Sequence, residues 1–220
     1  MNTFIYFLLV FGYLCFLIWG LILSKRSMLD FTSVLLLVIV GLVYDNLIIA
    51  LGKFIGGGKL LEGLSTLRYW LHALFTPTLI LFAWSIGENL GLPWAKKKFW
   101  KVIFSLLTAG LILYELFTSV IGLKLKANED NGIFTYESIE SVSPVMVILV
   151  TLVLFIMGII LVKRFHFPWL LIGTVVMISG SITAAWIKNF PIMNSLEFLL
   201  ILSLLLTKRY QVRESEKMNT

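Results

Sequence analysis

The sequence predicts an all-α polytopic membrane protein, a bundle of seven transmembrane helices with its N-terminus outside and its C-terminus in the cytoplasm. Three observations lead there. Hydrophobic residues make up 59% of the 220 positions and charged residues 14%, against roughly 45–50% and about 25% in soluble domains. The apolar residues fall into runs long enough to cross a bilayer, since roughly 30 Å of hydrocarbon takes about 20 residues at about 1.5 Å each. The basic residues cluster between alternate runs, as the positive-inside rule requires.

The runs are 4–24, 31–51, 69–90, 99–122, 144–163, 168–187 and 191–207. The first lacks a basic leader and a small-residue cleavage site, so it reads as a retained helix. The second contains "GLVYDNLIIALG", where Tyr44, Asp45 and Asn46 interrupt hydrocarbon. The third holds "RYWLHALFTP". Arg68, His72 and Thr76 follow one another at intervals of four, on one helix face. Pro77 then removes a backbone donor and frees the Ala73 carbonyl, which predicts a kink. The fourth carries Thr108, Glu115 and Ser119 as a stripe, with Tyr114 beside it. The fifth is apolar but for Thr151 and reads as lipid-facing. The sixth lines up Ser179, Thr183 and Trp186 toward Lys188 and Asn189. The seventh places Asn194 and Glu197 three apart, overlapping in direction.

Residues 1–207 thus form the membrane domain, and 208–220 a short, polar, frayed cytoplasmic tail. With the N-terminus outside, the inner segments hold Lys25, Arg26, Lys96, Lys97, Lys98, Lys101, Lys163, Arg164, Lys208, Arg209, Arg213 and Lys217. The outer segments hold Lys53, Lys59, Arg68, Lys124, Lys126 and Lys188. The formal charge of +6 is spread over these clusters and forms no single patch, which excludes a nucleic-acid partner. The lone Cys15 excludes an intramolecular disulfide and a paired-cysteine redox or zinc motif. The predicted location is the cell membrane, and the predicted partners are membrane lipids and a hydrophobic small molecule; protein partners are not specified by the sequence.

An ionisable residue at membrane depth costs about 2.5–3.5 kcal/mol on insertion scales and marks a functional position by default. From the rise per residue, Asp45 and Glu197 lie roughly 9 Å below the outer edge, Glu115 about 10 Å and His72 about 5 Å. Four ionisable groups from four runs therefore share one layer, which predicts a polar cavity opening outward. Asp45, Glu197, Glu115 and His72 are its candidate catalytic groups. Tyr44, Asn46, Arg68, Thr76, Tyr114, Asn194 and Trp186 are its candidate substrate contacts. A structural reading stands beside this one. Asp45 and Asn46 can join neighbouring helices by hydrogen bonds, and Glu115 and Glu197 can pair with Arg68 or Lys188. Glu88 is expected to pair with the Lys96–Lys98 cluster at the inner interface, and His166 to sit in an inner loop.

Carboxyl groups in unlike niches can divide acid and base roles, and with His72 they offer oxygen and imidazole to a divalent metal. The spacing defines neither a metal nor another cofactor. G-x-S-x-G and HExxH are missing, as are the signatures of type-2 phosphatidate phosphatases. "GKFIGGGK" lacks the preceding strand and following Ser or Thr of a phosphate loop. It reads as a glycine-rich exterior turn able to cover the cavity. No lysine lies in the seventh run, which excludes a retinal Schiff base.

Asp45 in "VYDNL" and Glu197 in "NSLEF", acids in the second and seventh runs, give a layout that resembles the seven-helix integral membrane terpene cyclases. The likeness covers the helix count and these two positions. It implies protonation of an isoprenoid epoxide or alkene by a carboxylic acid, with an apolar pocket shaping the carbocation. Three functions follow as expectations: a membrane enzyme acting on a lipid or isoprenoid by carboxylate chemistry, a proton-coupled carrier, or a non-catalytic receptor or assembly factor. The enzyme predicts a cavity with an apolar extension. The carrier predicts a second gate and broken helices. The receptor predicts tight packing with no hollow.

Overall fold

The computed structural model describes residues 2–24, 30–130, 132–140, 144–184 and 191–219. It is mostly helical. Helix α1 (Asn2–Ser24) is followed by a 3-10 turn (Phe31–Ser33) leading into α2 (Val34–Ile55). Helix α3 (Lys59–Phe75) is joined to α4 (Leu79–Asn89) through a 3-10 turn at Thr76–Thr78. Helix α5 (Lys98–Glu115) ends in a π-helical turn (Leu116–Val120). Strands β1 (Leu125–Asp130) and β2 (Ile133–Ser138) form an antiparallel hairpin, followed by α6 (Val145–Phe165), α7 (Trp169–Ala184) and α8 (Ile192–Asn219).

Five helical segments are long and apolar enough to cross a membrane: Thr3–Ser24, Phe31–Ile55, Lys59–Asn89, Lys98–Val120 and Val145–Phe165. Trp169–Thr183 is apolar but shorter. Helix α8 is not among the five, because Glu197 on one side and Lys208 and Arg209 on the other confine its uncharged stretch to 198–207. Apolar side chains cover the outside of the bundle. Helix α1 turns out Phe4, Leu8, Phe11, Ile18 and Ile22, α5 turns out Phe99, Val102, Leu106 and Leu113, and the π-helical turn adds Phe117. Stripes of this extent suit hydrocarbon rather than water. The core runs along the bundle through Tyr13, Leu35, Ile39, Ile80, Phe82, Trp84, Leu154 and Leu204, all fully buried.

The break between α3 and α4 falls where Pro77 predicts it. Pro77 is the second residue of the 3-10 turn, while the Thr76 N–H still closes the last turn of α3 on the His72 carbonyl. Elsewhere the structure departs from the sequence reading. Helix α3 starts at Lys59, ten residues before the apolar run, because 59–68 is amphipathic and packs Leu61 and Ser65 inward. The expected frayed tail is the continuation of α8. Lys208 in it is buried, its Nζ donating to the Ser24 and Ser33 hydroxyls. Phe167 stacks on Tyr210 at a centroid distance of 4.4 Å. Helix α6 is not given over to lipid: Met146, Val150, Leu154, Met157 and Leu161 are buried. It ends in a left-handed residue, His166 (φ 54°), whose N–H returns to the Val162 carbonyl. Glu88 makes no ion pair with Lys96, Lys97 or Lys98 among the described residues.

The hairpin, absent from the all-α expectation, roofs one end of the bundle. The Phe134 carbonyl occupies the space that a Cβ on Gly52 would need. The Tyr136 hydroxyl accepts from Gly58 N–H at 3.1 Å, and the Tyr69 hydroxyl accepts from Ser138 N–H at 2.9 Å. The glycine turn between α2 and α3 therefore lies under the hairpin. It bends through Gly56 (φ 76°) and Gly58 (φ 152°), where a side chain would be strained, and it does not cover the cavity described next.

Candidate functional site

A hollow of about 270 Å³ lies between α2, α3 and the start of α8. Its polar lining is Asp45, Arg68, Tyr69, His72, Thr76, Asn194 and Glu197; Val38, Gly41, Leu42, Ile49, Leu71 and Phe75 complete the wall. Six of the eleven residues singled out from the sequence thus meet in one place. The reason is physical. A polar residue in a lipid-facing run gains nothing from hydrocarbon, so the helix rotates it toward whatever interior space its neighbours leave.

Within the hollow, Arg68 Nε donates to Asp45 Oδ1 at 2.7 Å. Only that one guanidinium N–H is used, so the two terminal nitrogens make no hydrogen bond among the described residues. The pair is largely withdrawn from solvent, with side chains 16% and 27% exposed for Arg68 and Asp45. His72 Nδ1 lies 3.2 Å from the Thr76 hydroxyl, one helical turn on, at an exposed edge of the hollow. The Glu197 carboxyl is half-buried and has no hydrogen-bond or ion-pair partner among the described residues. A carboxyl group left unpaired in a cavity is available to a ligand, because its own hydrogen-bonding demand is unmet.

Behind the hollow runs a supporting chain. The Asn194 amide donates to Asn46 Oδ1 at 3.3 Å, and Asn46 in turn donates to the Leu42 carbonyl at 2.8 Å. Tyr13, fully buried, directs its hydroxyl at the Asn194 carbonyl at 3.5 Å. These bonds tie α1, α2 and α8 together. Asn46 is fully buried and does not line the cavity, so its place is between helices rather than at a ligand.

Other expected residues lie elsewhere. Glu115 is buried in α5 and does not line the hollow; its Oε1 accepts from the Ser119 hydroxyl at 2.7 Å and its Oε2 is unpartnered. Glu115 ends α5 and Ser119 lies in the π-helical turn that follows, and neither lines the α2–α3–α8 hollow. Tyr44 reaches the Leu64 carbonyl at 3.0 Å and clamps α2 to α3 outside the cavity. Tyr114 is half-buried on α5 and also lies outside it. Ser179 and Thr183 bond back to the Val175 and Gly180 carbonyls of their own helix. Trp186, Lys188 and Asn189 lie outside the described residues.

A second, apolar hollow of about 60 Å³ continues from the first. Val38, Leu42, His72, Thr76 and Glu197 line both. The arm then runs past Leu79, Val147, Val150, Thr151, Met177, Leu200 and Ile201, between α6, α7 and α8. Thr151, an isolated polar position in the sequence, is part of this wall.

A polar cluster that no sequence expectation includes lies at the opposite end of the bundle. Asp30 accepts from the Ser85 hydroxyl at 2.6 Å, from the Asn89 amide, and from the Thr32 hydroxyl at 3.0 Å. Lys101 lies 5.4 Å from the Phe31 ring centre and 5.7 Å from that of Trp84. Asp30 sits one residue before an apolar run, where an acid reads as a helix cap, which it also is. Among the described residues, no three His, Cys, Asp or Glu side chains come together as a metal-ligand set.

No family model matches this chain, and no curated protein or solved structure is significantly similar to it. What the fold and site define is a class: a mainly helical protein with several helices long and apolar enough to span a membrane. The resemblance to membrane terpene cyclases rests on the expected helix count and on the placement of Asp45 and Glu197.

Proposed function

We propose that the chain is an integral membrane enzyme that crosses the cell membrane seven times, N-terminus outside, and acts on a lipid or isoprenoid by carboxylate acid–base chemistry. The observation that carries this reading is the unpaired Glu197 carboxyl facing a hollow that it shares with the Asp45–Arg68 pair and that continues into an apolar arm. A carboxyl group with no partner of its own can give a proton to a bound double bond or oxygen, or take one from it. Asp45, held by Arg68 at 2.7 Å, sets a second carboxyl group near any cation that forms. The apolar arm offers a cation formed at its mouth a space with few groups that could hold water. The seven crossings take α3 and α4 as one interrupted span and add α7 and α8 to the five long segments. Twelve of the 18 basic residues then face inward.

Transport is the second reading, favoured by the break at Pro77 and by the Asp30 cluster at the far end. It requires a path between the two polar regions. Leu35, Ile39, Ile80 and Leu204, all fully buried, lie in that interval, and this closed middle favours the enzyme.

The test compares lipids extracted from cells expressing the wild type, Asp45→Asn and Glu197→Gln at equal membrane levels. Loss of a specific lipid product in both variants supports the enzyme. Unchanged lipids with a lost ion or solute gradient support the carrier. Unchanged lipids and gradients remove both and leave the receptor or assembly factor.

A further inference from the structure

We infer that the ligand of this hollow is a single-chain amphiphile of about ten carbons that ends in a neutral hydroxyl. The inference deepens the proposed function and rests on it only for the reaction, since binding is read separately.

The length follows from volume. The polar chamber holds about 270 Å³ and the apolar arm adds about 60 Å³. At about 30 Å³ per heavy atom, taking the share of a water molecule in the liquid as the scale, the two admit about eleven heavy atoms. A two-chain glycerolipid has several times that number and cannot enter whole. The hollow is also bent: its polar groups gather in the chamber, and the arm carries Thr151 as the one polar residue that it does not share with the chamber. A single tail fits that shape, most of it lying along the chamber's apolar wall of Val38, Leu42, Ile49, Leu71 and Phe75 and about its last two carbons in the arm.

The head group follows from charge and hydrogen-bonding capacity. The chamber already holds two carboxyl groups, Asp45 and Glu197, against one guanidinium and the His72 imidazole. A carboxylate or phosphate head would add like charge beside them, and an ammonium head would meet Arg68. A hydroxyl meets neither objection. Its oxygen can accept from the unused terminal N–H groups of Arg68 while its proton is donated to the unpaired Glu197 carboxyl. Both protein groups are otherwise left without partners among the described residues, which is the condition under which a ligand that supplies them is strongly discriminated from one that does not.

The experiment uses the full chain in lipid nanodiscs. Thermal stabilisation is recorded against a series of primary alkan-1-ols from hexanol to octadecanol, compared at equal mole fraction in the bilayer. Decanoic acid and decylamine are the head-group controls. Referencing to the bilayer removes the rise in partitioning with chain length, so chain selection reports the hollow alone. The expected result is a cut-off near ten carbons, with hexadecanol bound at least about tenfold more weakly than decanol, and with decanol preferred over the acid and the amine. Thr151→Leu, which fills the arm, moves the cut-off about two carbons shorter; Thr151→Ala, which adds no bulk and serves where the larger residue does not fold, moves it longer. No cut-off, a cut-off that neither variant moves, or preference for the acid or amine overturns the inference. Glu197→Gln separates the two proposals. A cut-off with unchanged cellular lipids retires the reaction and keeps the ligand; a lost lipid product with no cut-off does the reverse.

Discussion

Replacing Arg68 by Ala leaves the Asp45 carboxylate facing a cavity with no cation at hand. Breaking a fully buried ion pair from one side costs about 3–5 kcal/mol, because the remaining charge is uncompensated. Asp45 and Arg68 keep side-chain exposures of 27% and 16%, so the penalty is partly relieved, and about 2 kcal/mol is expected. Asp45→Asn strands the guanidinium instead and costs a similar amount. Removing both charges removes the interaction and both stranded groups together. The double variant Asp45→Asn/Arg68→Ala is therefore expected to lose less than the sum of the single changes by about 2 kcal/mol, a coupling in the range measured for residues in contact. The assay is reversible unfolding of the reconstituted protein in a denaturing detergent series, with all four members of the cycle measured alike. Additive losses would refute the reasoning, since they would mean that the 2.7 Å contact does not hold the chamber in shape.

Glu197→Gln is expected to lower product formation at least about a hundredfold, the usual loss with a general acid or base. Glu115→Gln leaves it within about threefold, since Glu115 lies outside the hollow; turnover in membranes matched for protein content distinguishes them. Gly52→Ala forces the hairpin off the end of α2 because the Phe134 carbonyl is in the way. The expected cost is about 1–3 kcal/mol, with faster proteolysis within 125–138 as the readout. Asn46→Ala removes the bonds to Asn194 and to the Leu42 carbonyl and is expected to destabilise by about 1–2 kcal/mol, while Asn46→Asp, which keeps the acceptor for Asn194 but sets an oxygen against the Leu42 carbonyl in a fully buried place, is expected to lose at least as much in the same unfolding assay.

Much of the chamber could be read from the chain because a bilayer simplifies the rules. In a run such as "GLVYDNLIIALG", hydrocarbon surrounds every position, so Asp45 had to find an interior. The four-residue spacing of Arg68, His72 and Thr76 put them on one face before any contact was known, and Asn194 and Glu197 share a direction for the same reason. Glu115 had the same depth signal but fails to reach the hollow, because depth fixes height along a helix and not rotation about it. The π-helical turn after Glu115 has no signature in "YELFTSV". Lys208 was assigned to the tail by its charge, yet α8 runs on and Ser24 and Ser33 receive it. Asp30 was hidden by its place at a run boundary. The hairpin did have a signal: Asn-Gly at 131–132, ahead of the alternating "IFTY", is a strong short-range mark of a two-residue turn. An all-α expectation leaves no place for that signal, which is why the strands are missing from it.

The central claim is that Glu197 presents an unpaired carboxyl to a space reachable by hydrocarbon-soluble molecules, and that Glu115 does not. Dicyclohexylcarbodiimide, a lipid-soluble reagent for membrane carboxyl groups, tests this directly when the labelled protein is digested and its peptides are weighed by mass spectrometry. The account predicts an adduct on Glu197 that forms more slowly with decan-1-ol present, and little on Glu115. Equal labelling of both, or labelling of Glu115 alone, would contradict it.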